Sequence, residues 1–267
     1  MSLSEVINPG RYEDPEWMLV HRELEEYSPD KHVFKHTSGE IYRKGWEWTQ
    51  AAYGLSRLGA INERATGLGV GAGHEAIIFW LADRCRRVVA TDLYGNTGWS
   101  NLHGKEADEG VLTDPQQFSM RPFAADRVQF RSANGCHLPF DSDSFDFCWS
   151  LSSIEHFGSH AASATAVSEM ARVVRTGGII CIATEYLLLP EQTHPEFFNR
   201  DEIERYVIGA TPNLSLVDGM NWNLPPFEFL IDQVCFIGDA VHRRRRHVIL
   251  NDGNVKWTSV MVFLRKY

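Results

Sequence analysis

The sequence predicts an α/β fold, a doubly wound and mostly parallel sheet. Between about residues 65 and 185, short apolar runs typical of buried strands alternate with stretches of helical apolar periodicity. A glycine cluster follows the first of these runs, where a strand would turn into a helix. Strands that alternate with helices imply right-handed crossovers and parallel neighbours. With 267 residues, 43% of them hydrophobic, the chain suits a single domain with its own core.

The N-terminal half supplies an arm, two helices and the first strands. Residues 1–42 are polar and aromatic with three prolines, which predicts an irregular N-terminal arm. One helix with a single buried face is predicted over about 46–58, and an entirely apolar, buried helix over 75–82. The strands are assigned to four short runs: A65-T-G-L, R87-V-V-A-T, R127-V-Q-F and F145-D-F-C-W-S.

The second half continues this alternation. A helix is predicted over about 162–175, ended by Gly177-Gly178, and the strongest strand run, I179-I-C-I-A-T, follows it. Asn199 is the expected cap of a further helix, with Glu202 three residues later.

The C-terminal part carries two short strands and one long irregular stretch. Strands are predicted at L214-S-L-V and at S259-V-M-V-F-L. Residues 219–256 between them are too long for a simple connection, which predicts an insertion or lid. The core of the single domain would then comprise residues 43–218 and 257–267.

Charge and cysteine usage narrow the function classes. The net charge of −9 argues against a nucleic-acid partner, because such domains are usually basic. No apolar run approaches the length of a membrane span, and the N-terminus lacks the features of a secretory signal. Five scattered cysteines, none in a C-x-x-C pair, predict reduced thiols, a cytoplasmic location and no metal site.

The glycine cluster predicts a nucleotide-type site. Gly69, Gly71 and Gly73 follow a short strand and lead into a helix, so the backbone can turn sharply and approach a ligand. Asp92 ends the next strand, where a carboxylate can accept hydrogen bonds from ribose hydroxyls. An adenosine-bearing ligand is therefore expected. Because Gly67, Gly69 and Ala72 fit the looser G-x-G-x-x-A pattern, a nicotinamide cofactor stays open at this point.

Motifs further along the chain decide between these cofactors. They occur in one order: G69-V-G-A-G73, T91-D92, N134-G-C-H-L-P-F140, S144-F-D146, I154-E-H156 and E169-M-A-R-V-V-R-T-G-G178. In this order they resemble class I S-adenosylmethionine-dependent methyltransferases, in the group that includes quinone and small-molecule methyltransferases. The resemblance implies a Rossmann-like sheet of seven strands with the last one antiparallel, and S-adenosyl-L-methionine as cofactor.

The resemblance also implies roles for individual residues. The methionine part of the cofactor would face the glycine turn, and Asp92 would hold the ribose. Leu93 would pack on the adenine, with Tyr94 helping, while Asn134 and the backbone of Gly135 or Cys136 would bind its nitrogens. The strand exit at Ser150 to Ser152 would border the methyl group. The cofactor-binding residues expected are Gly69, Val70, Gly71, Gly73, Asp92, Leu93, Asn134, Gly135 and Ser150.

Two departures from the family pattern affect this site. The family usually has an acidic residue two positions before the first glycine, where this chain has Gly67, and an aspartate where it has Asn134. Backbone carbonyls or a residue from elsewhere in the chain would replace the acid near Gly67. The upstream helix would supply contacts at the methionine end through Tyr42, Lys44 or Gln50, or would only pack on the surface as an amphipathic helix.

The reaction expected is methyl transfer to a small molecule, most simply at a hydroxyl of a sugar or secondary metabolite. Glu155 and His156 follow the fourth strand and are the predicted catalytic residues, with His156 suited to act as general base. His160 and Glu185 are reserves. The segment N223-L-P-P-F resembles the loop of nitrogen methyltransferases but lies far from the fourth strand, so oxygen or carbon acceptors are favoured.

Alternatives to each of these interpretations are open. The departures at Gly67 and Asn134 would fit a binding or scaffold protein without turnover. A nicotinamide-dependent oxidoreductase is a third hypothesis, beside these and the methyltransferase. The run Arg243–Arg246 would bind a phosphate or form a solvated turn. Four tryptophans outside the sheet pattern would stack on an acceptor or pack in the core: Trp46, Trp48, Trp99 and Trp222.

Overall fold

The central sheet contains ten strands within the residues that the structure describes. The computed structural model describes residues 2–36, 41–95, 107–225, 234–238 and 247–267. The strands are β1 (Glu5–Val6), β2 (Thr66–Val70), β3 (Arg87–Asp92), β4 (Val128–Ser132), β5 (Phe145–Leu151), β6 (Val174–Leu187), β7 (Leu214–Leu216), β8 (Val234–Phe236), β9 (Ile249–Asn251) and β10 (Lys256–Lys266). Eight of them follow the order β4-β3-β2-β5-β6-β10-β9-β8, and β1 and β7 both pair with β10. The predicted fold class is confirmed, although seven strands were expected, because short edge strands of two or three residues carry little sequence signal.

Strands β2 to β6 form the parallel part of the sheet. β2 pairs in parallel with β3 and β5, while β3 pairs with β4 and β5 with β6. The chain moves from β2 to β3 in one direction along the sheet and from β5 to β6 in the other. Because such crossovers are right-handed, the helices that follow β2 and β5 lie on opposite faces. The direction reverses between β2 and β5, which is where open α/β sheets form ligand-binding crevices.

β10 is antiparallel to β6, as expected for the last strand. Their paired residues run from Trp257 opposite Leu187 to Arg265 opposite Ile179. The stretch 257–264 is entirely buried, which requires cover on both faces and explains its continuous apolar sequence. The other edge of β10 pairs with β9, β1 and β7 at successive positions.

The N-terminal segment contains a helix, α1 (Pro15–Tyr27), so the predicted irregular arm is wrong for these residues. Asp14 accepts hydrogen bonds from two backbone N–H groups of the first turn, and Pro15 occupies the first helical position. Trp17, His21 and Leu24 form a fully buried stripe. Here proline marks the beginning of a helix, and the histidine within the stripe obscures its apolar periodicity.

Two helices confirm the predictions for the first half, α2 (Arg43–Arg57) and α3 (Ala76–Ala82). All seven residues of α3 are buried, in agreement with its uniformly apolar sequence. α1 packs against both of them, and α2 also packs against β6 and β10. The N-terminal segment is therefore held close to the crevice between β2 and β5.

In the second half, α4 (His160–Val173) begins and ends about two residues before its predicted bounds. Val174 already has extended backbone angles and begins β6. Gly177, with φ +82°, lies within the residues assigned to that strand and does not end the helix. The capping box of Asn199 and Glu202 is confirmed at α5 (Arg200–Ile203), which continues into a π-helical turn.

The stretch 219–256 contributes β8 and β9 to the sheet in its described parts. The predictions for Trp99 and for Arg243–Arg246 fall outside the described residues. The division into arm, core and insertion stays a prediction. In the described ranges, no helix is both long and apolar enough to cross a bilayer.

Candidate active site

The turn after β2 has a conformation that requires glycine. Gly71 and Gly73 have φ of +62° and +47°, in the left-handed region. A Cβ atom on Gly71 would lie 2.3 Å from Ser153 Oγ, and this hydroxyl donates a hydrogen bond of 2.7 Å to the Gly71 carbonyl. The turn is therefore held tightly against the residues that follow β5.

Asp92 at the end of β3 is fixed by the same turn. Its carboxylate accepts hydrogen bonds from the N–H groups of Gly73 (2.9 Å) and Leu93 (2.7 Å). Burial raises the pKa of Asp92, and these two bonds act in the opposite direction. An ionised carboxylate has further lone pairs available, so it can still accept bonds from a ligand. The Leu93 side chain is 44% exposed beside it, which leaves an apolar face open.

A cavity of about 240 Å³ opens at this edge of the sheet. Residues from the turn and the strand ends line one side, including Gly71, Gly73, Asp92 and Ser152. The N-terminal segment lines the other side through Asp30, Val33, Tyr42, Lys44 and Trp48. The prediction that the upstream helix approaches the site thus agrees with Tyr42 and Lys44. Gln50 instead bonds the Trp17 indole and the Leu3 carbonyl.

A buried ionic cluster joins α2 to the sheet behind this cavity. Glu47 is fully buried and lies 3.1 Å from Lys44 Nζ and 3.2 Å from Arg43 Nη1. It also accepts hydrogen bonds from the hydroxyls of Ser152 (2.9 Å) and Ser259. Burial acts to raise the pKa of Glu47, but the two cations outweigh it and lower the pKa. Glu47 is thus an ionised carboxylate inside the protein.

Arg43 is the centre of this cluster. Its Nη1 atom lies 2.6 and 2.7 Å from the two carboxylate oxygens of Glu185 on β6. Its Nε–H donates to His247 Nε2 at 3.3 Å. Burial raises the pKa of Glu185, although Arg43 acts against this effect. The reserve residue Glu185 is therefore committed to a structural ion pair.

Ser152 connects the cluster to the cavity. It has φ +48°, an uncommon value for a residue other than glycine. It immediately follows β5, lines the cavity and donates its hydroxyl proton to Glu47. Unfavourable backbone angles of this kind concentrate at functional sites. From the sequence, this position could be identified only by its place at the exit of a strand.

The two predicted catalytic residues, Glu155 and His156, lie in different environments. Glu155 is fully buried and accepts a hydrogen bond of 3.0 Å from Thr184. Burial and the nearby Glu185 raise the pKa of Glu155 to about 8. The side chain of His156 is 23% exposed, with Nδ1 3.6 Å from Glu196 Oε2. The reserve His160 contacts the Phe197 carbonyl through Nε2 at 3.1 Å.

The raised pKa of Glu155 has a consequence for stability. Between the ordinary value of 4.5 and about 8, the folded chain holds a proton on Glu155 that the unfolded chain releases. The free energy of unfolding therefore falls as pH rises through this range. We expect Glu155→Gln to reduce that fall. Urea unfolding of both proteins at pH 5 and pH 8 measures it, and equal pH dependence of the two would contradict the assignment.

The other predicted cofactor residues lie around the turn. Gly69 and Val70 end β2, and a Cβ atom on Gly135 would lie 2.5 Å from the Phe157 ring. The Asn134 side-chain oxygen accepts a bond of 2.9 Å from Cys136 N–H. Ser150 is fully buried, and its hydroxyl has no hydrogen-bond partner.

The position of the missing family acid is closed to any side chain. A Cβ atom on Gly67 would lie 2.3 Å from the Phe147 ring, which is fully buried beside it on β5. In contrast, Glu75 next to the glycine turn lines the cavity, and its Oε2 atom is buried with no hydrogen-bond partner. Within the described residues, no group of three or more metal-binding side chains is arranged to hold a metal ion.

Comparison with known sequences identifies a domain around this site. Residues 68–182 match the methyltransferase domain family. The methyltransferase GfsG of Streptomyces halstedii is 43% identical over 58 residues, which cover 22% of this chain and 20% of that protein. The match thus spans only a small part of the curated relative's length.

Solved structures share the fold at low sequence identity. A protein from Galdieria sulphuraria, provisionally described as a sarcosine dimethylglycine methyltransferase, matches with TM-score 0.54 and 12% identity. The match covers 95% of this chain and 98% of that one. The [4+2]-cyclase SpnF matches with TM-score 0.54 and 13% identity, over 100% and 99%. Geranyl diphosphate C-methyltransferase from Streptomyces coelicolor A3(2), solved with S-adenosyl-L-homocysteine, matches with TM-score 0.50 and 15% identity, over 95% and 98%. At these identities the likeness establishes the fold.

Proposed function

Because residues 68–182 form a methyltransferase domain and the fold is that of the class I, S-adenosylmethionine-dependent family, we propose that this chain transfers a methyl group to a small molecule. The observation that carries the proposal is the joint geometry of the glycine turn and Asp92. Gly71, Gly73 and Asp92 line one cavity at the point where the strand order reverses.

The residues present fit the cofactor that the domain implies. Gly71 lines the cavity and has no room for a side chain beside Ser153, and the Glu75 carboxylate has a buried oxygen without a donor. Bound S-adenosylmethionine supplies an electrophilic methyl group on a cationic sulfur. An acid-rich, partly buried cavity is complementary to such a cation.

We assign the cofactor contacts as the sequence predicts them. Asp92 would accept bonds from the ribose hydroxyls, and Leu93 would pack on the adenine. Asn134 and Gly135 would bind the adenine nitrogens. The methionine part would lie on the turn formed by Gly69, Val70, Gly71 and Gly73, with Ser150 near the methyl group.

The acceptor would lie between this turn and the N-terminal segment. A hydroxyl acceptor needs a group to take its proton as the new bond forms. Glu155, with its pKa raised to about 8, is largely protonated at neutral pH and is a poor base there. His156 remains the proposed base, and its Nδ1 atom lies 3.6 Å from the Glu196 carboxylate.

Binding of S-adenosylhomocysteine tests the proposal without knowledge of the acceptor. At 100 times its dissociation constant it should stabilise the protein by about 2.7 kcal/mol, a rise in Tm of about 5–10 °C. Asp92→Asn should weaken the binding at least about tenfold, since charged hydrogen bonds are the stronger ones. Asp126→Asn, at an exposed aspartate, is the matched control and should bind as the parent does.

The other outcomes identify the alternatives. Stabilisation by reduced nicotinamide cofactors instead would indicate an oxidoreductase. No stabilisation by either ligand would contradict the proposal and favour a binding or scaffold role. Incubation with methyl-labelled S-adenosylmethionine and pooled small-molecule hydroxyl acceptors then identifies the substrate class.

A further inference from the structure

Glu75 is a half-buried acid beside the glycine turn, and one of its carboxylate oxygens, Oε2, is buried without a hydrogen-bond partner. It lies directly before α3, yet its side chain makes no capping hydrogen bond to that helix. It lines the same cavity as Gly71, Gly73 and Asp92. We infer that Glu75 binds the α-ammonium group of the cofactor's methionine part, in place of the acid that is absent at Gly67. The inference rests on the proposed function.

A buried carboxylate oxygen without a hydrogen-bond donor is energetically unfavourable unless a ligand supplies the donor. Removing a carboxylate from water without a compensating partner costs several kcal/mol in typical cases. Burial accordingly raises the pKa of Glu75 well above its ordinary value of 4.5, although the charge of Lys44 and the indole of Trp149 act against it. A cationic hydrogen-bond donor at Oε2 would oppose the same effect of burial.

Lys44, whose positive charge acts on Glu75, already forms an ion pair with another acid. Lys44 lowers the pKa of Glu75 by its charge, but its ammonium lies 3.1 Å from Glu47. The negative charges of Glu47 and Asp92 act in the opposite direction and raise the pKa of Glu75. A cationic ligand is thus the partner that this arrangement favours.

S-adenosylmethionine carries two cationic groups, the sulfonium and the α-ammonium, and their chemistry decides which of them binds Glu75. An orphaned acceptor oxygen requires a hydrogen-bond donor. The sulfonium has no N–H or O–H group, whereas the α-ammonium has three donors. Of the acids that line the cavity, Asp92 is placed for the ribose and Asp30 lies in the N-terminal segment, whereas Glu75 follows the glycine turn on which the methionine part would lie.

Two ligands that differ in this group provide the experiment. S-adenosylhomocysteine carries the α-ammonium, and 5′-methylthioadenosine lacks the entire amino-acid part. Glu75→Gln should weaken binding of S-adenosylhomocysteine about 10- to 100-fold, as expected for a lost charged hydrogen bond. Its binding of 5′-methylthioadenosine should be unchanged. Glu63→Gln, in an exposed turn nearby in sequence, is the matched control.

Calorimetry in buffers of different ionisation enthalpy adds an independent readout. Because burial raises the pKa of free Glu75 and a bound ammonium would lower it, binding of S-adenosylhomocysteine should be accompanied by release of protons from Glu75. Glu75→Gln should abolish that release, and 5′-methylthioadenosine should not cause it. The variant should fold, since glutamine has nearly the same size as glutamate and brings no charge into the half-buried position.

The outcomes separate this inference from the proposed function. If the parent binds S-adenosylhomocysteine but Glu75→Gln weakens both ligands equally, or neither, the inference is overturned and the proposed function stands. If the parent binds neither ligand, the proposed function fails and the inference with it. Selective loss of S-adenosylhomocysteine supports both.

Discussion

Arg43→Met is expected to lower the free energy of unfolding by about 3–5 kcal/mol, because it leaves the buried Glu185 without its ion-pair partner and Glu47 with Lys44 alone. Arg43 lies within 2.7 Å of both oxygens of Glu185 and within 3.2 Å of Glu47. All three side chains are buried. Methionine retains most of the side-chain volume, so the loss measures charge more than packing. Urea unfolding near pH 7 gives the free energy directly.

The same helix offers a matched control for this substitution. Arg57 also forms an ion pair from α2, with Glu16 at 3.0 Å, but both side chains are more than half exposed. Arg57→Met should therefore change the free energy of unfolding by at most about 1 kcal/mol. A double variant, Arg43→Met with Glu185→Met, should recover part of the loss, since hydrophobic replacement of a buried pair is often tolerated. Equal effects at Arg43 and Arg57 would contradict this account.

The Arg43 cluster matters because it fixes the functional cavity. α2 carries Lys44 and Trp48 to the cavity, and Arg43 on the same helix is bonded to β6 and to Ser259 on β10. Glu47 accepts the hydroxyl of Ser152 at the end of β5. The strained serine and the cavity wall from α2 therefore depend on one buried group of charges.

The sequence predicted those parts of the fold whose signal is local. Runs such as R87-V-V-A-T indicate a strand by themselves, and Asn199 with Glu202 indicates a helix start. α1 was not predicted, because its buried stripe includes His21, whose burial depends on bonds to Thr49 and Phe34. The end of α4 was misplaced, because Gly177 signals left-handed backbone without specifying which element contains it.

The candidate site also contains some residues that the sequence predicts and others that it does not. Gly71, Gly73 and Asp92 were expected in one site from their spacing, and they line one cavity. Glu47 and Glu75 were missed, because acids in a helix or at its start normally face solvent. Their burial follows from how α2 and α3 pack on the sheet, which no local pattern records. The one available signal was indirect: the absence of an acid at Gly67 required a substitute elsewhere.

Gly67→Asp, which restores the acid of the family pattern, is expected to destabilise the protein by more than about 3 kcal/mol. The new Cβ atom would lie 2.3 Å from Cζ and 2.6 Å from Cε2 of Phe147. That ring is fully buried in the neighbouring strand and cannot move aside without disturbing the core. The substitution also brings a carboxylate into a place without a cation. Thermal and urea unfolding both measure the loss.

Two further variants separate the causes. Gly67→Ala carries the collision alone and should cost about 1–3 kcal/mol, so the difference between the two variants reports the buried charge. Gly219→Asp is the control, because Gly219 is exposed with open space around its Cα, and it should change stability by at most about 0.5 kcal/mol. If Gly67→Asp instead folds as stably as the parent and binds S-adenosylhomocysteine more tightly, position 67 can hold the acid. The assignment of the ammonium to Glu75 would then lose its premise. That assignment supposes that the Phe147 ring fills the space of the family's acid and that Glu75, beside the glycine turn, supplies the negative charge instead.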